Sequence, residues 1–277
     1  MITIRQEHSI EVLQILKSEY LQQATAPLDG MWLVGFVPTS THYGFYLNSE
    51  LIGYCCVNEE GYLLQFHLIE GYEAEASALF ARISANKFDA ARQILGAFTS
   101  TAEPKMLSYC ADVFTKISVN ALMYQLPEKP TASHESDNTV SLQRIDTQQL
   151  ALAVAFAHEA IGAPREWLTG YFQNLIARQE LFGYWDNETL AATGECRLFD
   201  GFQSEYADLG VIVATAHRGK GVATKVLERL VAQARSQKLE PICSTEKTNL
   251  GAQKAISRAG FITHHRIIEF SEPIIVA

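Results

Sequence analysis

The residues best suited to chemistry stand in one stretch, Asp208-Leu-Gly-Val-Ile-Val-Ala-Thr-Ala-His-Arg-Gly-Lys-Gly-Val-Ala-Thr224. A run of aliphatic, largely β-branched residues from Leu209 to Val213 reads as a strand. A turn follows, with Gly219 and Gly221 interleaved with Arg218 and Lys220. Beyond it, apolar residues at Val222, Val226, Leu227, Leu230, Val231 and Ala234 keep helical spacing to about Ser236. A strand that passes through a glycine-rich turn into a helix presents unpaired backbone N–H groups, here from Gly219 to Thr224, and the positive end of the helix dipole. That is an anion site, suited to phosphate. The glycines permit close approach of the backbone, and Arg218 and Lys220 add positive charge.

Other residue types that could do chemistry are poorly spaced for it. The five cysteines (Cys55, Cys56, Cys110, Cys196, Cys243) are odd in number and form no CxxC pair, so buried reduced thiols in a cytoplasmic protein are expected. Cys243 reads as a small buried hydrophobe rather than a nucleophile. His264 and His265 are adjacent on a predicted strand and point to opposite faces, which argues against joint metal ligation; no metal is expected.

The elements around the turn set the frame. The chain has 277 residues, 48% of them hydrophobic and 19% charged, which suits two globular domains of ordinary size. Its net charge is −9. The first 130 residues carry 8 basic against 14 acidic side chains, and the rest 14 against 17. No basic stripe exists, so neither nucleic acid nor an anionic membrane surface is an expected partner. The acidity is weakly compatible with a cationic substrate and reads first as the usual solubility pattern. The N-terminus shows no cationic region followed by an apolar stretch, so no secretory signal is expected. No apolar run is long enough to span a bilayer.

In chain order, Ile2–Arg5 reads as a strand and Ser9 caps a helix to about Gln23. Strands Tyr43–Leu47, Leu51–Val57 and Tyr62–Ile69 follow, joined by hairpin signals. A helix over Ala74–Asn86, another near Phe88–Phe98, and strands Met106–Cys110 and Ala121–Leu126 complete the first half. Pro127–Asn138 is polar, proline-flanked and without apolar pattern, which marks a linker. After it the order recurs: strand Val140–Arg144, helix Thr147–His158, and a helix opened by Pro164 and running to about Arg178. Strands Leu181–Trp185, Leu190–Phe199 and Tyr206–Val213 lead into the glycine turn and its helix. Strand Pro241–Ser244, a helix over Asn249–Arg258 and strand Phe261–Phe270 close the chain. The repeated order points to an internal duplication. At the place equivalent to the glycine turn, the first half has Ile69-Glu-Gly-Tyr-Glu-Ala-Glu75, whose three carboxylates would repel phosphate.

The second half resembles the GNAT (Gcn5-related N-acetyltransferase) family. That family's phosphate-binding signature, Gln/Arg-x-x-Gly-x-Gly/Ala, stands here as Arg218-Gly-Lys-Gly221-Val-Ala223. A second family feature, an Asn followed by Ala and then Gly-Phe, stands as Asn249-Leu-Gly-Ala252 and Gly260-Phe261. The resemblance covers about 140 residues from Thr139 on. It implies an α+β fold of two GNAT-like domains, each a mixed, mostly antiparallel sheet flanked by helices. Strands 4 and 5 of the C-terminal domain would be splayed. Residues 1–127 would form a degenerate domain, 128–138 a linker and 139–277 the catalytic domain.

The same resemblance implies acetyl-CoA as co-substrate and an amine of a small molecule or peptide as acceptor; a homodimer is also allowed. The coenzyme's pyrophosphate would lie on Arg218, Gly219, Lys220, Gly221, Val222, Ala223 and Thr224. Its pantetheine arm would pair with the backbone around Gly210–Val213, with Val211, Ile212 and Val213 the contacting residues, and the Asn249 side chain would touch the coenzyme. The proton of the acceptor amine must go to a base on or beside strand 4. Glu205 and Asp208 are the first candidates and Glu195, on the preceding strand, the third. Trp167, Tyr171 and Phe172 would line the acceptor pocket or pack in the core. One departure stands out. Family members often carry a Tyr seven residues after the Asn to serve the leaving thiolate, and here that position is Ile256. The alternative reading is therefore a non-catalytic acyl-CoA-binding or regulatory module.

Overall fold

The computed structural model describes residues 1–86, 93–127 and 140–274, so the expected linker lies outside the described residues. In chain order the elements are β1 (Thr3–Glu7), α1 (Gln14–Gln22), α2 (Val37–Thr39), β2 (Thr41–Leu47), β3 (Glu50–Val57), β4 (Tyr62–Leu68), α3 (Glu73–Ser84), β5 (Gly96–Ser100), α4 (Pro104–Val113) and β6 (Phe114–Gln125). They continue with β7 (Leu142–Arg144), α5 (Leu150–Ile161), α6 (Arg165–Ala177), β8 (Leu181–Asp186), β9 (Thr189–Leu198), β10 (Tyr206–Val213), α7 (Val222–Ser236), β11 (Glu240–Glu246), α8 (Leu250–Arg258) and β12 (Ile262–Pro273). No helix among the described residues is long and apolar enough to cross a membrane.

The chain divides into two compact units, Met1–Leu122 with His265–Ala277, and Met123–His264. The last strand, which by sequence belongs to the second half, thus packs with the first. In the first unit β1 to β4 pair in sequence order, all antiparallel, and β5 lies parallel to β4. On its other side β5 pairs with β12, from Ile267↔Ser100 to Ser271↔Gly96. Phe45, Ile52, Phe66, Phe80, Met106, Phe114 and Phe270 share the core of this unit. In the second unit β7 to β10 repeat the antiparallel order and β11 lies parallel to β10. The α+β architecture and the duplicated order of elements are both present.

Two local readings need correction. Met106–Cys110 is part of helix α4, not a strand. Pro104 opens that helix, and buried Met106 and Cys110 lie one turn apart on its inner face, a pattern that five residues cannot separate from a strand. The helix expected near Phe88–Phe98 gives way at its end to β5, its earlier part lying outside the described residues. The glycine that opens β5 explains the difference. A Cβ on Gly96 would sit 2.0 Å from the Phe270 carbonyl oxygen and 2.7 Å from the Tyr62 ring, so the two neighbouring strands close on bare backbone.

Helix α7 is seated by the same means. A Cβ on Gly194, in β9, would lie 3.1 Å from Val226 and 3.2 Å from Leu230. The helix therefore buries Val226, Leu227, Leu230 and Ala234 directly against the sheet, and this fixes where its N-terminus points.

Candidate active site

The site in the second unit begins where a ladder ends. Strands β10 and β11 pair only at Tyr206↔Glu240, Ala207↔Pro241 and Asp208↔Ile242, although β10 runs on to Val213 and β11 to Glu246. The two strands splay beyond that point. On its other edge β10 stays paired with β9 as far as Val213↔Ala192, and Ala214 N donates to Ala191 O at 2.9 Å. Hydrogen-bonded pairs alternate along an antiparallel ladder, so Gly210 and Ile212 turn their backbone groups to β9, while Leu209, Val211 and Val213 turn theirs to the open side. An extended ligand could pair with that edge, apart from Val213 O, which accepts from Arg218.

The open edge leads into the glycine turn. Gly219 and Gly221 have φ of +74° and +80°, and a Cβ added at either position would meet no atom within 4 Å. Gly221 is the N-cap of α7, and no side chain caps the first turn or places an acid in it. The N-terminus of a 15-residue helix is therefore left open to an anion. Arg218 lies across the turn, donating from Nε to Val213 O at 3.2 Å and from Nη2 to Ala160 O at 2.5 Å. Thr224 Oγ1 donates to Ala255 O at 3.3 Å, which ties α7 to α8. Lys220 is exposed beside them.

The equivalent turn of the first unit is chemically different. There α3 begins after Tyr72 with Glu73 and Glu75 in its first turn, and Gly71 N donates to Glu73 Oε2 at 2.9 Å. Hydrogen bonds from the Glu73 and Gly71 backbone hold the Glu73 carboxyl below its ordinary range. A carboxylate of the chain itself already occupies that helix end.

Asn249 caps α8, its side chain accepting from Ala252 N at 3.1 Å, and it remains exposed. Ile256 is 4% exposed and packs inward from the same helix, so nothing there can serve a leaving group. Cys243 is likewise buried. Among the described residues no three His, Cys, Asp or Glu side chains stand together as a metal site.

The three carboxylates do not share one environment. Glu205 lies outside β10, exposed in the turn before it. Asp208, opposite Arg197, and Glu195, opposite Gly210, lie on the same side of β9 and β10, the side covered by α5 and α6, and both are buried, at 1% and 4% exposure. Between them lies Arg197. It donates from Nε and Nη2 to Asp208 Oδ2 at 3.2 and 2.8 Å, and from Nη1 to Glu195 Oε2. Tyr171, from α6, closes the cluster: its hydroxyl donates to Glu195 Oε2 at 2.6 Å and accepts from Arg197 Nη1 at 2.9 Å. Burial works against the Arg197 charge, but Asp208, Tyr171 and Glu195 outweigh it, and its pKa stands well above the ordinary value. Trp167 stacks on Tyr171 with ring centroids 4.9 Å apart, and Phe172 is fully buried in the core. Of the three aromatic residues expected at the pocket or in the core, Tyr171 alone joins the polar cluster. Arg197 belongs to no motif, and sequence reasoning misses it; its only signal is its i+2 spacing from Glu195 on a strand, which puts both on one face.

Known proteins match this arrangement. Residues 9–126 match the Acetyltransferase (GNAT) domain and residues 148–261 the Acetyltransferase (GNAT) family. A solved acetyltransferase of the GNAT family from Colwellia psychrerythraea is 47% identical, with a TM-score of 0.91 over 97% of this chain and 99% of that one. A tandem GNAT protein from the clavulanic acid biosynthesis pathway shares the fold at 13% identity, with a TM-score of 0.67 over 99% and 98% of the two chains. A GCN5-related N-acetyltransferase from Sphaerobacter thermophilus does so at 14% identity and a TM-score of 0.62, over 98% and 95%. None of the curated proteins matches the chain. With a splayed sheet, an open helix end and a family match in each half, the chain belongs to the GNAT acetyltransferase family and carries two of its domains in tandem.

Proposed function

We propose that the protein is an acetyl-CoA-dependent N-acetyltransferase whose second unit binds the coenzyme and acetylates an amine. The observation that carries this reading is the continuity of the free β10 edge with the uncapped N-terminus of α7. The first can pair with an extended amide-bearing arm and the second with a pyrophosphate. The positive-φ glycines fit such a ligand, because a side chain at either would be strained and would fill the space that a phosphate needs. Arg218, Gly219, Lys220, Gly221, Val222, Ala223 and Thr224 would hold the pyrophosphate, the backbone of Val211 and Val213 the arm, and Asn249 would lie beside it. The bound coenzyme supplies an activated acetyl group.

The chain itself must take a proton from the amine. An ordinary amine, with a pKa near ~10, is mostly protonated at neutral pH. Among the three carboxylates Glu195 is best placed to receive it. It stands beside Gly210 on the splayed part of β10, whereas Glu205 is outside and Asp208 is bound by Arg197 where β10 and β11 still pair. With Ile256 in place of a Tyr, the departing thiolate is left to water, which suffices for a thiol of pKa near ~8.5.

The test is to incubate the protein with acetyl-CoA and a panel of polyamines, amino acids, aminoglycosides and peptides, and to detect acetylated product by mass spectrometry. Turnover of an amine, with coenzyme release, is expected. Tight binding of coenzyme A without product from any amine would instead favour an acyl-CoA-binding or regulatory module. Glu195→Gln should lower kcat at neutral pH by about 10²-fold or more, the usual contribution of a positioned base. Glu205→Ala should leave kcat within about twofold, as an exposed substitution away from the site.

A further inference from the structure

We infer that Tyr171 and Arg197 are positioning residues, which hold Glu195 so that one carboxylate oxygen is kept for the acceptor amine, and that Gly210 is the strand position that makes room for them. The inference rests on the acetyltransferase reading above and deepens it at the acceptor site.

Both donors converge on one oxygen. Glu195 Oε2 accepts from the Tyr171 hydroxyl and from Arg197 Nη1, while Oε1 has no protein partner among the described residues. A carboxylate held through one oxygen has a fixed orientation and a free lone pair on the other. Arg197 is fixed in turn by two bonds to Asp208, so neither rotates independently. The space comes from β10. A Cβ on Gly210 would lie 3.0 Å from Arg197 Nη1 and 3.0 Å from Glu195 Oε2, so a side chain there would shift the pair by a few tenths of an ångström.

Charge points the same way. Glu195 shares the Arg197 guanidinium with Asp208, and its Oε1 remains an acceptor. The group that complements it is an ammonium, which would meet Oε1. The N–H bond then breaks with its electron pair left on nitrogen, the proton bonds to Oε1, and the neutral amine is a nucleophile. The groups facing Glu195 are Arg197 on its own strand, Asp208 from β10 and Tyr171 from α6. Leu181 opposes it from β8, and the α5 residues buried on this side, Ala153, Val154 and Ala157, do not titrate. Burial, opposed by Arg197 and reinforced by Glu195, pushes the Tyr171 hydroxyl far above its ordinary pKa, so it remains a donor throughout.

The experiment is the pH profile of kcat/KM for an acceptor amine found in the panel, at saturating acetyl-CoA, for the full chain and three variants. Tyr171→Phe removes a donor to the Glu195 carboxylate, so the acid limb of the profile should differ from that of the wild type, with KM for acetyl-CoA unchanged. Arg197→Lys keeps the charge but loses the planar fork that spans Asp208 and Glu195, and should also alter the limb while the protein still melts cooperatively. Gly210→Ala should lower kcat more than it raises KM for acetyl-CoA. Wild-type limbs in both Tyr171→Phe and Arg197→Lys would overturn the positioning role. If Glu195→Gln is inactive while those limbs stay put, only the positioning fails. If Glu195→Gln keeps full activity, the assignment of the base fails instead.

Discussion

At the scale of single residues, two helix starts decide which half of the chain can take an anion. Glu73 closes the end of α3 with its own carboxylate, while Gly221 leaves the end of α7 bare. Glu73→Gly combined with Glu75→Ala should free the end of α3, yet coenzyme affinity should not rise if the coenzyme binds at α7, as proposed. A calorimetric titration with coenzyme A reads this directly. The asymmetry is legible in sequence because it is local: a glycine-rich turn and an acidic one read differently without any tertiary knowledge. The acid–base assignment is not legible in that way. Glu205, Asp208 and Glu195 look equivalent in a strand-rich stretch; Glu205 falls in the turn before β10, and the other two differ through the β9–β10 register, which sets Asp208 opposite Arg197 and Glu195 opposite Gly210. Register depends on both strands at once and leaves little trace in either.

At the scale of elements, the site depends on where α7 sits on the sheet. Its approach to β9 is set by Gly194, where an added Cβ would lie 3.1 Å from Val226 and 3.2 Å from Leu230. Gly194→Val should overpack this contact at a cost of about 1–3 kcal/mol. A melting temperature lowered by several degrees, with weaker coenzyme binding, is the expected result; an unchanged melt would show that the helix is seated otherwise. Most element identities can be read from periodicity, as with β10 and α7. The exceptions share a cause. Helix α4 has only two buried residues, Met106 and Cys110, and β5 only five residues in all, so neither shows a full period.

At the scale of the whole molecule, the chain returns its last strand to its first unit. Ile267, Ile268 and Phe270 are buried, and β12 pairs with β5. Sequence order alone assigns that strand to the second half, since pairing between distant segments has no local signature. Deleting residues 265–277 should therefore destabilise the N-terminal unit by several kcal/mol, at about 1.5–3 kcal/mol for each buried side chain removed. Hydrogen exchange would show it as lost protection of the Gly96–Ser100 amides. The central claim, however, is that the second unit binds coenzyme A at the turn from Arg218 to Thr224. Calorimetric titration of coenzyme A into the wild-type protein and into Gly221→Asp tests it most directly. A carboxylate at that helix end repels phosphate and blocks its approach, so the variant should still melt cooperatively, somewhat earlier because of the positive φ at that position, and lose at least about tenfold in affinity. Equal affinity in the two proteins would contradict the account.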